Sequence, residues 1–139
     1  MPVNIKLGRL RLATPILCAS GTFGFGDELK TLVNYRNIGA VIAKTITLNP
    51  RQGNEPPRIY ETPKGVINSV GLQNPGLEVF IKEGLAALRK VPTKRVVSIG
   101  GFSPSEYSQC LKRLDKEKGV DAFEINLSCL PPLEGHPPR

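Results

Sequence analysis

Short, mostly apolar runs alternate along the chain with longer segments of helical periodicity. Residues 14–19, 40–44 and 95–99 are runs of this kind, and their length is typical of strands buried in a parallel sheet. Residues 121–129 alternate apolar and polar side chains, which predicts a fourth buried strand. This last strand ends in an amide, a hydroxyl and a thiol, so polar chemistry is expected at its carboxyl end.

Helical patterns separate the four predicted strands. Apolar residues recur every three or four positions at Leu77, Phe80, Ile81, Leu85 and Leu88. This spacing predicts an amphipathic helix over residues 76–90. Residues 103–106 read Ser-Pro-Ser-Glu, a capping box with proline at the first helical position. They predict a second helix that runs to Gly119 with Cys110 on its apolar side. Residues 27–35 predict a third, shorter helix.

The remaining segments predict loops and hairpins. Residues 5–12 alternate apolar and basic side chains and predict a hairpin outside the main sheet. Residues 20–26 form a glycine-rich loop that could approach a ligand closely, although its spacing is not that of a dinucleotide-binding motif. Residues 45–68 are rich in proline and glycine and predict a long functional loop. Within it, residues 58–62 and 65–68 could pair as a hairpin over the active face.

The order of these elements predicts an α/β fold with a parallel sheet covered by helices. About four β/α units are present, which fit either a small open sheet or the N-terminal portion of a TIM (β/α)8 barrel. A complete barrel typically needs about 250 residues. The chain has 139 residues, which is enough for one domain but too short for two well-formed ones, so the length allows either architecture.

Composition excludes several classes of function. The net charge of +7 comes from scattered lysines and arginines, which supports an anionic small-molecule ligand as well as it supports nucleic acid. No apolar run is long enough to span a bilayer, and the N-terminus lacks a secretory signal. The three cysteines have no metal-ligand spacing and are odd in number. We therefore expect a cytoplasmic protein with free thiols and no metal site.

The candidate chemistry lies at the ends of the predicted strands. Lys44 ends an apolar strand, where it either meets an anion or extends its ammonium group into solvent. Asn126 and Cys129 end the fourth strand. A thiol there could act as a base, but this segment taken alone also fits an ordinary half-buried cysteine.

Five segments, taken together, resemble the dihydroorotate dehydrogenase family. They are residues 19–26 (ASGTFGFG), 44–48 (KTITL), 50–58 (PRQGN with PR at its end), 68–76 (NSVGLQNPG) and 124–129 (EINLSC). With cysteine at position 129, the chain resembles the soluble class 1 enzymes. With its Phe-Gly-Phe-Gly loop, it resembles the NAD-dependent subclass 1B. The resemblance covers residues 1–129 and implies the N-terminal portion of an FMN-binding barrel. We therefore expect a single partial barrel domain over residues 1–139 with an N-terminal hairpin.

The resemblance implies oxidation of dihydroorotate to orotate in de novo pyrimidine (UMP) biosynthesis. Cys129 would be the base that removes a proton from C5, while C6 gives hydride to FMN. Implied substrate-binding residues are Lys44, Asn68, Ser69, Val70, Gly71, Leu72 and Asn126. Implied FMN-binding residues are Ser20, Gly21, Lys44, Thr45, Ser98 and Asn126. Implied partners are an electron-transfer subunit with FAD and a 2Fe-2S cluster, and further copies of the catalytic subunit.

Two departures from the family pattern leave alternatives open. Ser98 stands where relatives commonly carry asparagine, which would shorten or remove one flavin contact. Residues 130–139 are an atypical tail, where Leu130 and Pro131 replace the family's Pro-Asn. We expect a truncated chain, or an erroneous or frameshifted end, and a purified chain that carries no FMN. The alternatives are a non-catalytic barrel fragment that binds no flavin, or a related FMN-dependent dihydropyrimidine dehydrogenase-type barrel. The electron acceptor, NAD through the partner or fumarate, also stays open.

Overall fold

A computed structural model of the protein describes residues 5–26 and 28–128. The chain opens with an antiparallel hairpin of β1 (Ile5–Leu7) and β2 (Leu10–Leu12). Gly8 turns this hairpin with a φ of 59°, a conformation that favours glycine. The hairpin forms a sheet of its own, as predicted, and Leu12 packs beneath the main sheet against Ala40 and Val96.

A parallel sheet lies at the centre of the fold. The remaining elements are β3 (Leu17–Cys18), β4 (Ala40–Ile46), β5 (Ile59–Thr62), β6 (Gly65–Asn68), α1 (Leu77–Val79), α2 (Leu85–Leu88), β7 (Lys94–Ile99), α3 (Pro104–Leu114) and β8 (Ala122–Ile125). The sheet order is β3-β4-β7-β8, and each neighbouring pair is parallel. This arrangement confirms the predicted α/β class.

The hydrophobic core lies between this sheet and the helices. Alternate strand residues, such as Val41 and Ala43 in β4, meet Phe80, Leu85 and Leu114 from the helices. All five side chains are fully buried. The alternation follows from strand geometry, in which every second side chain faces the same side of a sheet. The apolar runs of β4 and β7 and the helical spacing therefore predicted this core correctly.

The two longer helices form where their spacing predicted, with differences in detail. A π-helical segment (Phe80–Gly84) joins α1 and α2. A Cβ added at Gly84 would lie 2.5 Å from the Phe80 ring, so close packing favours glycine there. The Ser103 hydroxyl accepts a hydrogen bond from the Glu106 N–H at 3.3 Å, whereas the Glu106 carboxylate accepts from the Phe102 N–H rather than from Ser103. Helix α3 ends at Leu114, short of Gly119.

The prediction of a helix at residues 27–35 is wrong for its described part. Residues 28–34 form turns and irregular backbone, and a single 3-10 turn follows at Tyr35–Asn37. Two side chains compete with helical hydrogen bonding here. The Glu28 carboxylate accepts from two N–H groups of the preceding loop, and the Asn34 amide oxygen accepts from the Arg36 N–H.

The outer strands are shorter and more exposed than predicted. Both 14–19 and 121–129 were expected to be buried, but Leu17 is 40% exposed and Ile125 is 44% exposed. The reason lies in their position, because β3 and β8 each pair with only one neighbour within the described part of the chain. A sequence pattern cannot distinguish an edge strand from a central one.

The long loop contains the predicted hairpin. Strands β5 and β6 pair antiparallel, with Ile59 opposite Asn68 and Tyr60 opposite Ile67. Within residues 5–26 and 28–128, no helix is both long and apolar enough to cross a membrane.

Candidate functional site

A polar cleft of about 660 Å³ opens at the carboxyl ends of the parallel strands. It is lined by Ser20, Gly21, Lys44, Thr45, Asn54, Asn68, Ser69, Val70, Gly71, Leu72, Asn126 and Ser128. The lining includes every predicted substrate and cofactor residue except Ser98. Cys129, the predicted base, lies outside the described residues. Ligands bind at this end of parallel α/β sheets because the loops that follow the strands converge there.

The glycine-rich loop brings Ser20 and Gly21 to the cleft. Its fold is fixed by the Lys44 N–H, which donates to the Gly24 carbonyl at 2.8 Å and so ties the loop to β4. The Glu28 carboxylate accepts from the Phe25 and Gly26 N–H groups at 2.8 Å each. Gly21 has a φ of 82°, and a Cβ there would meet open space. A ligand can therefore approach the backbone at Gly21.

Strand β4 contributes two consecutive residues, Lys44 and Thr45. Successive strand residues normally face opposite sides, but the pairing of β4 with β7 shifts register between Ala43 and Ile46. This irregularity explains how both side chains line one cleft. Within residues 5–26 and 28–128, the Lys44 ammonium group has no hydrogen-bond or ion-pair partner. It is a cation available to an anionic ligand, which is one of the two roles left open by the sequence.

Two asparagine side chains, those of Asn54 and Asn74, donate hydrogen bonds to the loop at residues 68–72. Asn54, which sequence reasoning missed, donates to the Ser69 carbonyl at 3.1 Å and to the Ser69 hydroxyl at 2.8 Å. Asn74 is 5% exposed, and its side-chain amide makes four hydrogen bonds. It accepts from the N–H groups of Thr47 and Gly76, and it donates to the Thr47 hydroxyl and the Leu72 carbonyl. The amide-rich sequence of residues 68–76 was the signal for Asn74, whereas Asn54 lies in the separate PRQGN segment.

Ser98 lies beneath the cleft rather than in its lining. Its side chain is fully buried, and its hydroxyl is 2.9 Å from the Thr45 hydroxyl. Thr45 in turn accepts a hydrogen bond from the Asn126 amide at 3.1 Å. A direct cofactor contact of Ser98 stays a prediction, whereas its contact with a cleft residue is part of the fold.

Neither described cysteine is activated as a base. Burial raises the pKa of the Cys18 thiol, and burial together with the nearby Glu106 carboxylate raises that of Cys110. Cys110 is fully buried on the apolar side of α3, as predicted. A raised pKa keeps a thiol protonated and unreactive. In the described parts of the chain, no group of three or more metal-ligating side chains occurs.

The opposite end of the sheet carries an ion-paired carboxylate. Asp121 is bonded to the Lys94 ammonium at 2.9 Å and to the Arg95 guanidinium at 3.2 Å, and it accepts from the Arg95 N–H at 3.0 Å. Burial opposes ionisation of Asp121, but the hydrogen bonds from Arg95 and Lys94 outweigh it and lower its pKa. This cluster ties the start of β7 to the residue that precedes β8.

The parallel sheet and the polar cleft at its carboxyl end define an α/β protein of the barrel type. The same architecture occurs in a crystal structure of dihydroorotate dehydrogenase from Eimeria tenella in complex with ferulenol. That structure matches with a TM-score of 0.73 and 24% identity, over 90% of this chain and 36% of that chain. At this identity the match establishes the fold alone.

Sequence comparison identifies the family. Residues 3–137 match the family profile described as dihydroorotate dehydrogenase. The chain therefore belongs to the dihydroorotate dehydrogenase family, whose members are oxidoreductases.

Two relatives are named dihydroorotate dehydrogenase B (NAD(+)), catalytic subunit. The relative from Thermodesulfovibrio yellowstonii is 49% identical, over 93% of this chain and 43% of its own length. The relative from Thermoanaerobacter pseudethanolicus is 46% identical, over 93% of this chain and 42% of its own length. The chain thus spans less than half the length of these curated relatives.

Proposed function

We propose that the protein oxidises dihydroorotate to orotate in pyrimidine biosynthesis, and that this chain supplies the part of the site that contacts both FMN and the pyrimidine. One observation carries the proposal. Residues from separate segments of the sequence, which carry the family motifs, converge on the same cleft. Convergence at the carboxyl ends of parallel strands is the expected location of such a site.

The chemistry of the cleft fits a flavin beside an anionic pyrimidine. When bound, FMN would supply the acceptor for the hydride of the substrate. Ser20, Gly21, Thr45 and Asn126 would hold it, because they offer hydroxyl and amide groups and an open backbone approach at Gly21. Lys44 would face both molecules. Its ammonium group complements the orotate carboxylate, and it has no competing partner in the described residues.

The substrate would lie against the loop of residues 68–72. Asn68 and Asn126 both line the cleft and would bond the polar edges of the pyrimidine. Cys129 follows Ser128, another lining residue, and is the proposed base for the C5 proton. Proton removal by a side chain held in position contributes roughly 10²- to 10⁴-fold to such reactions.

Partners and location follow from the subclass. The named relatives are catalytic subunits of the NAD(+)-linked enzyme. We infer that electrons leave through a second subunit that carries FAD and a 2Fe-2S cluster, and that catalytic subunits associate with each other in the cytoplasm. NAD, rather than fumarate, would then be the final acceptor.

A titration with orotate tests the pyrimidine site in the 139-residue chain. Orotate added to the 15N-labelled chain is expected to shift the side-chain amide resonances of Asn68 and Asn126. Uracil, which lacks the carboxylate, is the matched control ligand and is expected to bind more weakly. Equal shifts with both ligands would contradict the proposed ion pair between Lys44 and the orotate carboxylate. No shift with orotate would contradict the pyrimidine site.

The flavin and the base are tested by absorbance. Anaerobic dihydroorotate is expected to bleach FMN bound to the protein, and Cys129→Ser is expected to slow this reduction by roughly 10²-fold or more at neutral pH. An unchanged rate would exclude Cys129 as the base.

A second candidate, a fragment that binds no flavin, is favoured by one observation. Leu17 and Ile125 are exposed on the two outer strands, so apolar surface is uncovered at both edges of the described sheet. On this account the purified chain is colourless even after incubation with FMN. A yellow chain with nearly stoichiometric flavin would contradict it.

A further inference from the structure

Asn126 makes five hydrogen bonds with other described residues. Its N–H donates to the Ile99 carbonyl at 2.8 Å, and its carbonyl accepts from the Tyr107 hydroxyl at 2.6 Å. Its side-chain amide donates to the Thr45 hydroxyl at 3.1 Å. Its side-chain oxygen accepts from the Ser128 N–H at 3.1 Å and from the Ser128 hydroxyl at 3.2 Å.

We propose that Tyr107 and Ser98 are positioning residues that lock the Asn126 carboxamide in one orientation, with a single N–H left to donate to a ligand. The role of Asn126 toward a pyrimidine or flavin rests on the proposed function. The locking is a property of the chain itself and can be measured without any ligand.

The orientation of the carboxamide follows from its fixed partners. The Ser128 backbone N–H can only donate, so the Asn126 atom that it meets must be the oxygen. The other side-chain atom, the nitrogen, must then face Thr45. An amide oxygen has two lone pairs, and both are used by Ser128. One of the two side-chain N–H groups is used by Thr45.

Ser98 acts on Asn126 through Thr45. The Ser98 hydroxyl is fully buried and meets the Thr45 hydroxyl at 2.9 Å. A hydroxyl that is bonded on a second side cannot rotate freely, so Ser98 fixes the oxygen that accepts from Asn126. Serine at position 98 is short enough to leave Thr45 between itself and the cleft.

Tyr107 acts on Asn126 through the backbone. Its side chain comes from α3 and packs partly against the core, which fixes the position of its hydroxyl. The bond to the Asn126 carbonyl lies just beyond the last residue of β8, where the pairing with β7 ends after the bond to Ile99. Tyr107 thus fixes the backbone of Asn126, one residue beyond the end of β8.

The consequence is a donor-only contact. With its oxygen occupied by Ser128, the Asn126 side chain can offer one N–H and no acceptor, to either the flavin or the pyrimidine. It therefore selects a ligand atom with a lone pair, such as a carbonyl oxygen or an unprotonated ring nitrogen, and disfavours an N–H at that position.

Hydrogen exchange of the Asn126 side-chain amide in the full 15N-labelled chain tests the locking. One of its two protons is expected to exchange more slowly than the other. Thr45→Val removes the acceptor and should speed that proton by about twofold to tenfold, the range expected for one hydrogen bond. Thr45→Ser keeps the hydroxyl and should restore slow exchange. Ser98→Ala should give a smaller increase in the same direction.

Tyr107→Phe should raise the mobility of Asn126 in 15N relaxation while the rest of the spectrum is retained. Tyr35→Phe is the matched control, because it removes another tyrosine hydroxyl that donates to a backbone carbonyl at 2.6 Å, that of Gly26. Equal effects of the two substitutions on Asn126, or equal exchange in Thr45→Val and Thr45→Ser, would overturn the proposal.

An orotate titration separates this inference from the proposed function. If the chain binds orotate, Tyr107→Phe and Ser98→Ala should weaken binding by about twofold to tenfold while Tyr35→Phe does not. Orotate binding that is unchanged in both variants would overturn the positioning role. If the wild-type chain binds no orotate, the proposed function fails, and the exchange and relaxation data still decide whether Asn126 is locked.

Discussion

The two ends of the parallel sheet differ in whether a charged side chain is paired within the fold. At the amino end, Asp121 is bonded to Lys94 and Arg95, so its charge is fully compensated within the fold. At the carboxyl end, the Lys44 ammonium has no partner among the described residues and lines an open cleft. Compensated charge stabilises a fold, whereas an uncompensated one is available to a ligand. The charged cluster at the amino end therefore contributes to stability, whereas Lys44 at the carboxyl end is available for binding.

Replacement of Asn74 is expected to have the largest effect. Its buried side-chain amide supports the cleft through four hydrogen bonds. Asn74→Ala is expected to lower the free energy of unfolding by about 3 kcal/mol, since several buried partners lose their hydrogen bonds at once. It should also weaken orotate binding, because the Leu72 carbonyl is one of those partners. Urea unfolding and an orotate titration measure the two effects. A stability loss without any change in orotate binding would separate Asn74 from the cleft.

Removal of the uncompensated charge should affect binding alone. Lys44→Ala is expected to weaken orotate binding by about tenfold to a hundredfold, as loss of a charge-assisted hydrogen bond does. The midpoint of urea unfolding should stay unchanged, because Lys44 makes no ion pair within the described fold. Lys30→Ala, on the exposed turn after the glycine-rich loop, is the control for loss of one positive charge. An equal loss of affinity in the control would indicate a general charge effect.

Removal of the compensated charge should affect stability alone. Asp121→Asn is expected to lower the free energy of unfolding by about 1 to 2 kcal/mol, because Lys94 and Arg95 lose a partly buried partner. Orotate binding should be unchanged. Asp115→Asn is the matched control, since Asp115 is exposed beyond the end of α3 and no comparable loss is expected. A loss of orotate affinity in Asp121→Asn would break the division between the two ends.

Acid unfolding should reveal the smallest effect. The pKa of Asp121 is lowered from its ordinary value of 3.8 in the folded chain. Its contribution to stability is therefore complete above about pH 3.8 and is lost as the pH falls through its lower folded pKa. The difference in unfolding free energy between wild type and Asp121→Asn should shrink below pH 3.8. A difference that stays constant to lower pH would show that ionisation of Asp121 contributes nothing.

The local elements could be read from the sequence because they depend on nearby residues. Apolar runs predicted β4 and β7, and the spacing from Leu77 to Leu88 predicted the helical segment that includes α1 and α2. The helix at residues 27–35 was wrong, because side-chain bonds of Glu28 and Asn34 to the backbone replace helical ones. The exposure of β3 and β8 could not be predicted either, since it depends on how many neighbours a strand has.

The sequence by itself determined the α/β class, the family motifs and most of the residues of the cleft. The tertiary structure decided how those residues are arranged. A register shift between β4 and β7 allows Lys44 and Thr45 to face the same cleft. Ser98 meets Thr45 across 53 positions of sequence, and Asn126 meets Thr45 across 81. Such contacts depend on strand pairing and side-chain direction, which no local pattern specifies, so the locked orientation of Asn126 emerges only from the fold.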